Sequence, residues 1–339
     1  MRVFHPAVSP PGRLVRLGII LDQRNDARQT MRIAQMAERA GMQSLWVADR
    51  LITGDGKARM EAWTALSVAA FYTQEIRLGG MFVPGLRSPQ ILGAMAGSLD
   101  VVLGGRLELG VALGWDESEF DSLGLDFPDL ARRVDQSRDF TRALMKVVAG
   151  EPLGAGAGIG VSSPQPGGPA LTMEVRDPLQ LGVAVELADN ILLPAQPVAG
   201  VASQVRDAAR ACEDRNREPA SLGIAVELPV SVGRTDGESD VRVEIDDLLS
   251  QMDTKSMGMH GTLERCQEIV IELAHLGVAE VRCILPNVGD IDDVIAQLSA
   301  TNVGTKEVLR PGMARSVAPA PPTGWGAPSK PGTESDPGQ

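Results

Sequence analysis

The sequence predicts a (β/α)8 barrel, and three observations lead to this fold class. Eight apolar runs with strand character alternate strictly with eight helical patterns. The repeat extends over roughly 290 residues, within the range of this barrel. The residues that follow the first apolar run, Asp22 to Asp26, contain no Gly-x-Gly-x-x-Gly, which a doubly wound open sheet, the rival fold, would carry there. Strict alternation therefore indicates a closed parallel sheet covered by helices.

The first half of the repeat contains strands and helices bounded by clear end signals. Asp26 is a predicted N-cap and Gly41 ends the first helix, while Gly104-Gly105 ends the third. The predicted strands are Leu14–Leu21, Ser44–Ala48, Ile76–Pro84 and Leu107–Leu113. The predicted helices are Ala27–Ala40, Met60–Thr73, Ser88–Val102 and Leu130–Val148.

The second half repeats the pattern. Asp177 is a predicted N-cap followed by Pro178 at the first helical position. The predicted strands are Ala170–Val175, Asn190–Pro194, Leu222–Val232 and Glu280–Leu285. The predicted helices are Pro178–Leu187, Val198–Asn216, Leu263–Leu276 and Ile291–Leu298, with a polar, partly helical segment at Asp236–Asp253.

Composition shifts divide the chain into an N-terminal arm (1–13), a barrel domain (14–302) and a Pro/Gly-rich tail (303–339) that we expect to be disordered. A Gly/Pro/Ser run from Glu151 to Pro169 is expected to be a flexible connection. It has no Gly-Lys-Ser/Thr ending, so its glycines do not form a phosphate-binding P-loop.

Charge and composition exclude several classes of function. The net charge of −12 is spread along the chain without a basic patch, which argues against nucleic acid binding. No apolar run is long enough to cross a bilayer. Three scattered cysteines and three histidines without ligand spacing argue against disulfides and a metal site. We expect a soluble cytoplasmic protein.

The segment from Arg77 to Phe120 places two of the parallel strands next to each other, with polar and aromatic residues after each strand. Active sites of such barrels lie at these carboxyl ends. The strand ends of this chain carry few acids or bases, no Ser/His/Asp set and no obvious Schiff-base lysine. Apolar walls with few catalytic groups point to a bound organic cofactor that supplies the chemistry.

Three stretches carry a family resemblance: AERAGMQSLWVADRL, IRLGGMFVPGLRSPQILGAMAGSLDVVLGGRLELGVALGWDESEFDSLG and GTLERCQEIVIELAHLGVAEV. Between about Leu14 and Leu298 the chain resembles the bacterial luciferase-like family of flavin- or deazaflavin-dependent oxidoreductases. The resemblance implies a (β/α)8 barrel, usually a homodimer, that acts on a small-molecule substrate. It also implies FMN or the deazaflavin coenzyme F420 as cofactor, with hydride transfer or oxygen insertion as the reaction.

The resemblance implies catalytic roles after the second strand. Asp49 stands where the family usually has an acid, and Arg50 stands where a proton-donating His is common. An arginine stays charged near neutral pH, so Arg50 could pair with an anionic ring or substrate. A salt bridge with Asp49 or with a helix terminus is the alternative for Arg50.

The resemblance also implies cofactor contacts on the third and fourth strands. Gly80, Met81 and Phe82 align with the segment that supports the ring, often through a non-proline cis peptide, for which Met81–Phe82 is the hypothesis. Ala112 and Gly114 occupy a turn that is commonly Gly-x-Gly, with Trp115 packed over it. Glu119 is expected to fix a neighbouring loop.

The phosphate end departs from the family pattern. Relatives often carry Gly-Gly-Ser after strand five, whereas this chain has Glu174-Val175-Arg176-Asp177. Arg176 could contact a phosphate, although Glu174 and Asp177 would repel it. Gly261 and Thr262, at the start of the next helix, are the second candidate site for the phosphate.

Three functions therefore stay open. The first is F420-dependent hydride transfer, which the Gly-Trp-Asp-x-x-Glu-Phe motif and the SLWVADR strand favour. The second is an FMN-dependent monooxygenase supplied by a separate flavin reductase. The third is a barrel that has lost catalysis and serves as a binding or structural subunit.

Overall fold

The computed structural model describes residues 15–52, 59–114, 116–151, 162–235, 257–285 and 291–301. The predicted arm, the polar segment 236–253 and the tail 303–339 lie outside these residues, as do residues 152–161 of the predicted connection and Trp115.

Eight parallel strands close into a barrel, as the sequence predicts. Each strand pairs with the next in order, β6 pairs with β7, and the last strand pairs with both β7 and β1. The barrel strands are β1 Arg16–Ile20, β2 Ser44–Ala48, β3 Arg77–Phe82, β4 Leu107–Val111, β5 Ala170–Glu174, β6 Asn190–Leu193, β7 Gly223–Val232 and β9 Glu280–Ile284. A short strand that the sequence did not predict, β8 (Met259–Gly261), pairs with the carboxyl end of β7.

Helices surround the barrel in the order that the sequence predicts, with one short helix that it does not predict. They are α1 Ala27–Arg39, α2 Ala62–Phe71, α3 Pro89–Val102, α4 Glu117–Ser122, α5 Leu130–Val148, α6 Pro178–Leu187, α7 Val198–Glu213, α8 Leu263–His275 and α9 Ile291–Thr301. Asp26 and Gln29 form a capping box at the start of α1. Helix α7 ends before the predicted Asn216, which adopts a left-handed φ of 54°. None of the helices in these ranges is long and apolar enough to span a membrane.

The two faces of the sheet bury different sets of side chains. Leu17 and Ile19 of β1 are fully buried in the main core between the strands and the helices. The residues that alternate with such positions along each strand face the barrel interior. Trp46, Met81, Leu192 and Ala225 form a separate apolar cluster there. Strand alternation therefore sends every second residue into the barrel.

Large interior side chains lie opposite glycines on the neighbouring strand. A Cβ added to Gly79 would lie 2.4 Å from the Trp46 ring, and one added to Gly110 would lie 2.1 Å from Met81 Sδ. The ladder places Trp46 beside Gly79 and Met81 beside Gly110. Each glycine therefore provides the space that its large neighbour occupies.

The interior near the amino ends of the strands is ionic. Arg16 donates to Glu108 Oε1 at 3.1 Å and to Glu280 Oε2 at 3.3 Å, and Arg77 also pairs with Glu108. Arg282 Nε donates to Glu280 Oε2 at 3.1 Å. These contacts connect strands β1, β3, β4 and β9, and we call the five residues the ion network.

Burial opposes ionisation of Glu108, but Arg16, Arg77 and Arg282 outweigh it and lower the pKa of this carboxyl to about 2. The pKa of Glu280 is also lowered, because Arg16 and Arg282 outweigh its burial. Both carboxylates therefore stay charged in the folded protein.

Glu108→Gln is expected to lower the free energy of unfolding at neutral pH by about 3–5 kcal/mol, because buried arginines lose their partner. The folded pKa of Glu108 is lowered from 4.5 to about 2. Its stabilisation is therefore complete above about pH 4.5 and is lost as the pH falls toward 2. Urea unfolding along a pH series should show the gap between wild type and variant closing on acidification.

The matched control is Glu186→Gln, which removes a surface ion pair with Arg142 between half-exposed side chains. We expect it to cost less than about 1 kcal/mol. Equal losses in the two variants would contradict a stabilising role for the ion network.

Candidate active site

Partly exposed apolar side chains line the carboxyl end of the barrel interior, and we call this region the well. Ile20, Ala112 and Ile284 are half-exposed at the inward positions of their strands, above the buried Trp46 and Met81. A half-exposed apolar lining at this end of a (β/α)8 barrel is where ligands bind in this fold.

Below this well, Trp46 stacks on Arg282 of the ion network. The guanidinium carbon of Arg282 lies 3.2 Å from the centroid of the Trp46 ring, and Arg282 is only 1% exposed. Its Nη2 donates to Thr172 Oγ1 at 3.2 Å. The stacked pair is a cation–π contact that fixes both side chains below the well.

Asp49 lies at the end of β2, as predicted, and its carboxylate is held by Arg87. Arg87 Nη2 lies 2.5 Å from Oδ1 and Nε lies 3.1 Å from Oδ2, while the Val83 amide donates to Oδ2 at 3.4 Å. Arg87 also contacts Glu61 at 2.8 Å. Burial raises the pKa of Asp49, although Arg87 opposes the rise. These contacts connect the end of β2 to the loop after β3.

Arg50 contacts Asp116 Oδ2 at 3.2 Å. Asp116 is the N-cap of α4, where it also accepts from the Ser118 amide. The observed partner is thus a helix terminus, one of the two alternatives that the sequence left open, rather than Asp49.

Helix α4 was missed because six residues are too few to show a helical period. Glu119 in this helix accepts hydrogen bonds from the amides of Leu51 and Ile52, at 2.7 and 3.1 Å. The prediction that Glu119 fixes a neighbouring loop is confirmed. Through Arg50 and Glu119, the loop after β4 holds the loop after β2.

The three β3 candidates divide between the two faces of the sheet. Met81 points into the barrel, whereas Phe82 is fully buried on the helix side, 5.7 Å from the Trp63 ring. A Cβ on Gly80 would lie 2.5 Å from the Phe82 ring, also on the helix side.

The hypothesis of a cis peptide at Met81–Phe82 is wrong for this structure, because no cis bond occurs among the described residues. Regular parallel pairing with β4 continues through both residues and leaves no bulge.

Ala112 and Gly114 lie at the end of β4. Ala112 faces the well. Gly114 adopts a φ of 70°, and a Cβ added to it would lie 2.8 Å from the Phe120 ring. The Gly114 carbonyl accepts from Arg133 Nη1 at 2.6 Å. The glycine is therefore required by this turn and its packing.

The two phosphate candidates occupy different parts of the rim. Arg176, after β5, pairs with Glu174 at 2.7 Å, and the adjacent start of α6 is capped by Asp177. Gly261 ends β8 with a φ of 122°, and Thr262 is the N-cap of α8. The start of α6 is thus already occupied by an acidic cap.

Glu227 on β7 is a candidate that the sequence reasoning did not select. It is half-exposed at an inward position, two residues after Ala225 of the interior cluster. Burial, followed by repulsion from Glu174, raises its pKa to about 7, against the opposing effect of Arg282 and Arg176. In the sequence, Glu227 can be recognised only as the single acid within the apolar run Leu222–Val232.

Comparison with known proteins agrees with the fold. The solved coenzyme F420-dependent tetrahydromethanopterin reductase from Methanopyrus kandleri superposes with a TM-score of 0.72 at 20% identity, covering 85% of this chain and 98% of that one. This likeness shows the fold alone.

Two curated relatives match parts of the chain. A 5,10-methylenetetrahydromethanopterin reductase from Methanolobus tindarius is 24% identical over 59% of this chain and 60% of its own length. An FMNH(2)-dependent dimethylsulfone monooxygenase from Pseudomonas putida is 28% identical over 35% of this chain and 33% of its own length. The chain thus spans less than two thirds of either relative.

A family profile described as luciferase-like monooxygenase matches residues 5–280, a span that includes seven of the eight barrel strands and the first residue of the eighth, β9. The chain belongs to the luciferase-like monooxygenase family.

Proposed function

We propose that this protein is a luciferase-like oxidoreductase that binds coenzyme F420 in the apolar well and carries out hydride transfer to or from a small organic substrate. The observation that supports this proposal most directly is the well itself, with apolar walls above the stacked Arg282 and Trp46. An FMN-dependent monooxygenase with a separate flavin reductase is the second candidate.

The residues of the well fit a planar organic ring. Ile20, Ala112 and Ile284 offer partly exposed apolar surface, and the small side chain of Ala112 packs against the interior cluster that contains Met81. Of the two phosphate candidates, the start of α8 has the neutral cap Thr262, with Glu264 in its first turn, whereas the start of α6 is capped by the acid Asp177. When bound, the deazaflavin would supply the hydride; the chain supplies the apolar walls that exclude water.

Two observations bear on the choice of cofactor. The reductase from Methanolobus tindarius aligns over a larger share of this chain than the FMNH(2)-dependent monooxygenase does. A tetrahydromethanopterin reductase of known structure is named for its dependence on F420, which associates this kind of reductase with that coenzyme. Both favour F420 over FMN.

Polar residues around the well have supporting roles in this proposal. Arg50 provides positive charge at the rim for an anionic ring or substrate, with Asp116 holding its guanidinium in place. Asp49 acts through Arg87 by fixing the loop after β3. The three cysteines are free and buried, which suits a reducing cytoplasm.

We further propose a homodimer that forms through α3 and the end of α2. Ile91, Val101 and Val102 on α3 are 59%, 51% and 72% exposed, and Phe71 at the end of α2 is 78% exposed. A second copy would cover this apolar surface with the same surface, as a two-fold interface requires.

Ala112→Phe tests the location of the cofactor. The larger side chain would fill the well and weaken binding of F420 by about 10-fold or more, the effect of 1–3 kcal/mol of overpacking. Titration of the purified protein with F420 and, separately, with FMN, followed by fluorescence, measures the affinities.

Ala131→Phe, at an exposed position on α5, is the matched control and should bind as wild type does. Unchanged affinity in Ala112→Phe would place the cofactor outside the well. Binding of FMN alone would favour the monooxygenase, and binding of neither would favour a non-catalytic barrel.

Val102→Asp tests the dimer. Because the interface is two-fold, a dimer of this variant would bury two unpaired carboxylates. The variant should therefore be monomeric where wild type is dimeric. Light scattering coupled to gel filtration measures the mass. Leu179→Asp on α6, at a position 54% exposed, is the control and should stay dimeric; a monomeric wild type would contradict the proposal.

A further inference from the structure

We propose that Glu227 is the acid–base residue of the well, exchanging a proton with the ligand or substrate bound there. This inference rests on the proposed function and assigns to that site a proton-transferring group that the family resemblance did not identify.

The position of Glu227 places its carboxyl in the barrel interior. Gly223 and Ala225 precede it at alternate positions of β7, and Ala225 belongs to the interior cluster. Its register partner on β9 is Arg282, the residue stacked on Trp46. Glu227 is half-exposed, whereas Arg282 is 1% exposed. The residue thus lies at the boundary between the sealed interior and the accessible well.

Three other acids of the barrel already form ion pairs with arginines. Glu108 and Glu280 belong to the ion network, and Glu174 pairs with Arg176 at 2.7 Å. No Lys, Arg or His nitrogen of the described residues lies within 4.0 Å of the Glu227 carboxylate. Glu227 is therefore an interior acid that can gain and lose a proton without breaking an ion pair.

Charges on the neighbouring elements set the behaviour of this carboxyl. Glu174 and Arg176 face it from the β5 side, and Arg282 faces it from β9. On β8, His260 lies opposite Ser231, four residues further along β7. Burial and repulsion by Glu174 bring the pKa of Glu227 to about 7, which lets both protonation states be populated near neutral pH.

The step is a simple proton transfer. In the direction of reduction, the bound cofactor of the proposed function would supply a hydride to one atom of a substrate double bond. The O–H bond of the Glu227 carboxyl would break, and its proton would bond to the other atom of that double bond, which receives the displaced electron pair. The carboxylate that remains faces the positive charge of Arg282, and in the reverse direction it accepts the proton.

Proton linkage tests the inference without requiring the substrate. Covering Glu227 with a planar ring removes water from it and favours its protonated form, so binding should take up a proton. Calorimetric titration of the full-length protein with F420 and with FMN, in two buffers of different ionisation enthalpy, measures this uptake. The affinity of wild type should also fall by up to about tenfold per pH unit above the pKa, which is about 7.

Three variants make the assignment specific. Glu227→Gln, which resembles the protonated carboxyl, should bind without proton uptake and without the loss of affinity at high pH. Glu174→Gln removes the repelling charge and should shift the midpoint of the pH profile to lower pH. Glu186→Gln on the surface should behave as wild type does.

Unfolding provides a readout that does not depend on any cofactor. The pKa of Glu227 is raised from 4.5 to about 7, so its contribution to stability is complete below about pH 4.5 and is lost as the pH rises through 7. Wild type should lose stability over this window relative to Glu227→Gln.

The outcomes separate the two proposals. Cofactor binding with the same proton uptake in wild type and Glu227→Gln would overturn the role of Glu227 and leave the proposed function standing. An absence of binding by either cofactor would overturn the proposed function, and the role of Glu227 with it. The inference would be supported if proton uptake disappears only in Glu227→Gln and the midpoint of the pH profile shifts in Glu174→Gln.

Discussion

The ion network inside the barrel is the constraint on which the rest of the structure depends. Glu108 and Glu280 are 3% and 2% exposed, and an isolated carboxylate at such a depth would be strongly unfavourable. Arg16 contacts both, and Arg77 and Arg282 each contact one of them. Because these residues belong to four different strands, their charges are balanced only when the barrel is closed in this register. Such pairs add little net stability over an apolar core, but they penalise other registers.

The same network determines where the well begins. Arg282 contacts Glu280 on one side and Trp46 on the other, so a single side chain connects the ionic interior to the apolar layer. Above that layer, half-exposed apolar residues and Glu227 replace the paired charges. Among the described residues, the interior acids Glu108 and Glu280 are held by arginines, whereas Glu227 at the accessible end forms no ion pair.

The sequence predicts the fold well because the fold depends on local signals. Ser44–Ala48 and Pro178–Leu187 match their predicted bounds, since apolar periodicity, Asp177 and Pro178 act within a few residues. The missed elements are short: α4 has six residues and β8 has three, and each depends on contacts with distant segments. Helix α4 is held by Arg50 and by the amides after β2, which no local pattern shows.

The site was harder to predict for the same reason. The position of Asp49 at a strand end could be read from the sequence, but its partner Arg87 is distant in the chain and comes from the loop after β3. The direction of Phe82 depends on strand alternation relative to Met81, and it points to the helices rather than to the well. The pKa of Glu227 is set by its burial and by Glu174 and Arg282, which lie on two other strands. Spatial pairs of this kind require the closed barrel.

The glycines opposite Trp46 and Met81 have a consequence for how this barrel can change over evolutionary time. Gly79 cannot accept a side chain unless the Trp46 ring moves, and Gly110 cannot accept one unless Met81 moves. A smaller residue at 46 or 81 alone would leave a void, and a larger residue at 79 or 110 alone would collide. Variation in this layer is therefore expected to occur as compensating exchanges between adjacent strands. The shape of the well above the layer can then be altered by moving volume from one strand to its neighbour, while the total volume inside the barrel stays constant.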